Sequence, residues 1–130
     1  MSSPFTVDGI EYNVFVPREG IKRSGQVLDG PNANRGQSGG MIRDIIGTYY
    51  NYTIQIDTSQ TTVSEYDRLY EVLTAPVDYH TLKVPYGQGA MTFKAYVTSA
   101  EDTLKTMEGG INIWGGLSVK FIAMKPQRTP

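Results

Sequence analysis

The sequence predicts a mainly β domain, a β-sandwich or a partly closed β-barrel, with one α-helix. Three observations lead there. Apolar and polar residues alternate with period two over most of the chain. A single segment carries the i, i+3, i+4, i+7 apolar stripe of a helix. Turn residues rich in Gly, Pro and Asn separate the runs. With 130 residues, no internal repeat and one composition regime, the chain reads as one domain, residues 1–130.

Taken in order, residues 5–7 and 10–16 flank Asp8-Gly9, a hairpin signal because both residues tolerate positive φ. Pro17 ends the second run by withholding a ladder donor. Residues 21–28 form a further strand, in which Gly25 weakens the run or marks a bulge. Residues 41–46 precede Gly47, a candidate bend. The clearest strand covers residues 48–57, with Thr48, Tyr50, Tyr52, Ile54 and Ile56 on its predicted buried face.

Ser64 and Asp67 open the predicted helix as a variant capping box, and Tyr66, Leu69, Tyr70 and Leu73 make its apolar stripe. Pro76 ends it, since Ala75 is pushed out of the α region. Residues 77–84 and 90–98 read as a hairpin across the turn at 85–89. Residues 101–107 are expected as a short helical turn. A last strand spans residues 117–124, followed by a polar tail at 125–130 with two prolines.

Composition closes several functional routes. The chain has no Cys and one His, so a disulfide framework, thiol catalysis and cysteine-based zinc sites are excluded. Lys and Arg number 12 against 13 for Asp and Glu, without the basic excess that phosphate-backbone binding requires. No stretch approaches the about 20 apolar residues of a membrane span. The start, Met1-Ser2-Ser3-Pro4-Phe5, lacks the charged and apolar pattern of a secretory leader, so synthesis and folding in a cytoplasm are expected.

His80, in a strand-like segment with Asp78 on its side, reads as an ordinary sheet histidine rather than a catalytic base. No G-x-S-x-G elbow, H-E-x-x-H or EF-hand loop is present. No catalytic residue, metal site or cofactor is predicted, and the chain is read as a non-enzyme. The Gly-rich run over 29–40 fails as a phosphate loop, because no Lys-Ser/Thr follows and the next segment reads as strand. It is instead a long hairpin loop, weighed as an interface element over a linker.

The nine tyrosines support two readings, interface aromatics or plain strand propensity. Stacking on carbohydrate is a third. Arg43 and Asp44 form adjacent charges inside an apolar run, so they face opposite ways; at least one is expected partly buried or at a subunit contact, where it needs an opposite charge from elsewhere, and an edge-strand gatekeeper role competes.

The run Gln26-Val27-Leu28-Asp29-Gly30-Pro31-Asn32-Ala33-Asn34-Arg35, followed by Gly40-Met41-Ile42-Arg43-Asp44-Ile45-Ile46-Gly47-Thr48, resembles small structural proteins of tailed-phage and prophage tails. Residues 65–73 and Trp114-Gly115-Gly116-Leu117-Ser118-Val119 extend the likeness over most of the chain. The resemblance is to the tail-tube family and implies a tail-tube-like β fold with one flanking helix and a long hairpin loop. It further implies a virion subunit that assembles in the host cytoplasm into stacked rings, often hexameric, of the tail tube or its baseplate junction. Its partners would be other copies of itself and other tail or baseplate proteins, with DNA only as passing cargo and no membrane. On this reading Asp29, Asn32, Asn34, Arg35, Gln37, Arg43 and Asp44, with Lys125 and Arg128 in the tail, are the candidate inter-subunit contacts. The alternative is a monomeric ligand- or carbohydrate-binding β module using exposed Tyr and Trp114.

Overall fold

In the computed structural model, which describes residues 4–31, 34–35, 39–57 and 61–130, most of the period-two segments become strands of one open sheet. Its elements are β1 (Thr6–Val7), β2 (Ile21–Asp29), β3 (Asn34–Arg35), β4 (Met41–Ile42), β5 (Ile45–Ile56), α1 (Val63–Leu73), β6 (His80–Tyr86), β7 (Gly89–Glu108) and β8 (Ile111–Ala123). Six strands pair antiparallel in the order β1-β6-β7-β8-β5-β2, and β3 and β4 form a separate small ribbon. Mainly β with one helix therefore holds, but the sheet does not close into a barrel. Closure would pair β1 with β2. The first offers only two residues and the second carries Lys22, Arg23, Ser24 and Gln26 along its exposed length, so little apolar area would be gained.

The core lies on one face. Tyr52, Ile54 and Ile56 of β5 stand opposite Phe121, Val119 and Leu117 of β8, and Ala95, Leu82 and Val84 continue the layer across β7 and β6. The expected buried face of residues 48–57 is thus correct at its centre, with Tyr50 half-buried against it. Helix α1 covers this face with Tyr66, Leu69 and Leu73, and the Tyr66 hydroxyl donates to Asp102 of β7 at 3.1 Å.

The helix starts earlier than predicted. Its N-cap is Thr62, not Ser64, and the cap carries no side-chain bond to the helix. Instead Asn13 Nδ2 donates to the Thr62 hydroxyl at 3.3 Å, and the Asn13 N–H donates to Glu65 at 3.2 Å. The capping side chains are thus turned to holding the N-terminal segment.

That segment corrects a second expectation. The Asp8-Gly9 turn forms, with φ of 54° and 78° and a single bridge from Val7 to Ile10. No strand follows over residues 10–16; Tyr12, a candidate for an outward interface position, is instead buried, as is Val14, and the two cross the open face as irregular cover. Ladder pairing is taken elsewhere, because β1 pairs with β6. Residues 101–107 are not a helical turn either. They continue β7, which with β8 forms a long hairpin closed by Gly109 and Gly110 at φ 57° and 82°.

His80 is a sheet residue, 4% exposed, but its partner is Asp8 and not Asp78. His80 Nδ1 lies 2.8 Å from Asp8 Oδ2, and the Thr81 N–H donates to Asp8 Oδ1 at 2.8 Å. Desolvation pushes the Asp8 carboxyl upward, yet the His80 bond, the Thr81 bond and the His80 charge outweigh it and hold Asp8 below its ordinary 3.8. A depressed carboxyl stabilises the fold above its unfolded value and loses that contribution as pH falls through the folded one. Asp8→Asn is therefore expected to cost roughly 1 kcal/mol near pH 6, a figure discounted for the solvent exposure of Asp8. Urea denaturation at stepped pH checks it: the gap to the unmodified protein should shrink below about pH 4.

Candidate assembly surfaces

Strand β2 is a margin of the sheet and pairs only with β5. Of its nine residues, only Ile21 and Asp29 are even half-buried. Between Leu28 and Asp29 the register shifts, because Leu28 faces Gly47 while Asp29 faces Ile45, leaving Ile46 as the bulged residue. The hairpin then continues as an arm: the Gly30 N–H donates to the Asp44 carbonyl at 2.6 Å, and β3 pairs with β4 through Asn34↔Ile42 and Arg35↔Met41. The expected hairpin loop is thus a ribbon for part of its length. Asn32 and Gln37 lie outside the described residues.

Arg43 finds the opposite charge its setting required. Its Nε donates to both oxygens of Asp29, at 3.0 and 2.8 Å, which clamps the root of the arm. Both groups are partly solvated, so the pair adds little stability and acts mainly on geometry. Around it Val27, Leu28, Met41, Ile42, Ile45 and Ile46 are all exposed, Val27 and Ile42 at 54% each. Such a concentration of large apolar side chains on one margin marks an interaction surface more than an ordinary exterior.

The C-terminal residues, expected as a polar tail, are in part paired to the sheet. β8 ends at Ala123, and beyond it residues 126–128 run along the margin of β5 that β8 leaves open. The Thr48 N–H donates to the Arg128 carbonyl at 2.8 Å. Gln127 then substitutes for a missing ladder rung: its side chain accepts from the Tyr50 N–H and donates to the Tyr50 carbonyl, each at 2.9 Å. Gly47 makes the close approach possible, since a Cβ there would collide with the Arg128 carbonyl oxygen and with Pro126. Arg128 is consequently held within its own chain by its backbone, and Lys125 is exposed beside it.

The tail also completes an aromatic and cationic cluster that sequence reading missed. The rings of Tyr50 and Tyr86 meet edge to face at 5.2 Å, and the Tyr86 hydroxyl donates to that of Tyr50 at 3.1 Å. Arg128 Nη1 donates to the same oxygen at 3.5 Å, and the Arg23 guanidinium lies 5.3 Å over the Tyr86 ring. The bond from Tyr86, then that from Arg128, lowers the Tyr50 phenol below its ordinary value, while Tyr86, whose proton is held in that bond, is raised.

A second projection is the outer part of the β7–β8 hairpin, where Leu104, Met107, Ile111 and Trp114 are exposed, Met107 at 66%. Between it and α1 runs a groove lined by Val63, Tyr66, Asp67, Ile113 and Trp114. Among the described residues no group of three His, Cys, Asp or Glu side chains is placed to hold a metal, and no helix is long and apolar enough to cross a membrane. No model of a known protein family matches the chain, and no curated protein matches it.

Gln127→Ala strands the partly buried Tyr50 N–H and carbonyl, and is expected to lower stability by about 1–3 kcal/mol in chemical denaturation. In a spectrophotometric pH titration, Tyr50 should ionise below the ordinary phenol value of 10.0. Tyr12 and Tyr52 should ionise above it, chiefly because burial disfavours their charged forms. Tyr50→Phe should delete the earliest phenolate component and leave the late ones in place.

Proposed function

We propose that this chain is a non-enzymatic structural subunit of a phage or prophage tail, forming stacked homo-oligomeric rings of the tail tube or its baseplate junction around a channel that DNA passes through. The observation that carries the reading is the β2 margin: a nine-residue edge strand, exposed on both faces, continuous with an apolar arm. An exposed edge is a template for a further strand, and a ring of copies joined edge to edge removes it from every subunit. The near-neutral charge suits a channel that must not retain phosphate. On this reading the arm, with Asp29, Arg43 and Asp44 at its root, meets the adjoining copy or ring, and its exposed Met41 and Ile42 support that role.

A second reading, a carbohydrate-binding module, draws on Trp114, which is 37% exposed and shares a groove with Tyr66, Tyr70, Asp67, Glu71 and Asp102. An aromatic face beside hydrogen-bonding acids is a surface on which a sugar ring stacks.

Light scattering after size exclusion, with negative-stain imaging, separates the two. Rings or tubes are expected from the unmodified chain. Val27→Glu combined with Ile42→Glu should yield a folded monomer with unchanged circular dichroism and no rings, because two charges per copy would be buried without partners. A monomer at every concentration, with glycan affinity lost in Trp114→Ala, would favour the second reading instead.

A further inference from the structure

The geometry points to an oxyanion-binding site, for a carboxylate or phosphate group, formed by Arg23, Arg128, Tyr50 and Tyr86. These side chains come from four separate parts of the chain, β2, the C-terminal segment, β5 and β6, and meet at one place. Two guanidiniums brought to bear on the same pair of phenols repel each other, and neighbouring acids would ordinarily offset that repulsion. Elsewhere the protein does so: Arg43 is paired with Asp29 and Arg68 with Glu65. Among the described residues no carboxylate stands within ion-pair distance of Arg23 or Arg128.

The contacts within the cluster leave donors unused. The Tyr50 oxygen accepts from both Tyr86 and Arg128, so its own hydroxyl proton is left to donate to an incoming group. Each guanidinium carries five N–H donors in a planar fork suited to two oxygens of one anion. Arg23 also lines a concavity with Ile21, Tyr52, Pro85, Gly87 and Gln88, which gives an anion room beside the cluster. The backbone pairing at Thr48 fixes where the Arg128 side chain starts, and the Tyr86 ring lies beneath the Arg23 guanidinium. The inference is independent of ring assembly, since every group belongs to one chain.

The test uses the full chain, titrated with inorganic phosphate and, separately, with acetate, at ionic strength held constant with chloride. Side-chain guanidinium resonances and tyrosine absorbance report occupancy. A saturable change is expected with at least one anion. It should weaken about tenfold or more in Arg23→Gln and in Arg128→Gln, each of which removes a charge-assisted donor. Arg18→Gln serves as the control and should bind normally. Preference for acetate identifies a carboxylate as the natural group, and preference for phosphate identifies a phosphate. Absence of saturation with either anion overturns the site, as does unchanged binding in the folded double variant Arg23→Gln/Arg128→Gln.

Discussion

The register between β5 and β8 is the constraint on which the rest of the molecule depends. Tyr52 against Phe121, Ile54 against Val119 and Ile56 against Leu117 place six apolar side chains on the same face of two adjacent interior strands. A slip of one residue would turn one strand's set into solvent, so this register is fixed by the side chains themselves. β5 then carries β2 and the arm on its far side, and β8 carries β7, β6 and β1. Because only one face is buried, one helix and the irregular N-terminal segment suffice to cover it. The cost of that economy is a sheet with open margins.

Where burial is one-sided, the sequence shows it. Residues 52–56 alternate cleanly because every second side chain is buried in the core, and α1 itself is legible from Tyr66, Leu69 and Leu73. Where neither face is buried, the pattern fails. Residues 101–108 are nearly all exposed, so nothing imposes period two on them, and only pairing with β8 makes them strand. The N-terminal run failed in the opposite way. Tyr12 and Val14 alternate because they are buried in turn, yet an extended course needs no ladder, and alternation reports burial without revealing hydrogen-bond partners.

The candidate contacts were legible to a different degree. That Arg43 needs an opposite charge follows from its neighbours, and Asp29 supplies it 14 residues away across the hairpin. The Tyr50–Tyr86–Arg128 cluster and the Asp8–His80 pair join residues separated by 36 to 78 positions. No local spacing encodes such meetings; they are created by the strand order. Gln127 is harder still, since its role is to imitate a peptide group, a use that its residue type alone does not disclose.

The closing of one margin gives the open one its meaning. On the β8 side, β5 would offer bare ladder groups over residues 47–50, and the C-terminal segment occupies that position through Arg128 and Gln127. Gly47 is the residue that permits it, because any side chain there would push the segment away. With that margin filled and β1 reduced to two residues, β2 is left as the long unpaired edge of the sheet. An unpaired edge flanked by Val27, Leu28, Ile42 and Ile45 is costly to leave in water, and pairing is directional, so a neighbour would be received on one side and in one orientation. Two copies paired β2 to β2 would close an isologous dimer and stop, so a ring would require each β2 edge to meet a different surface of the next copy.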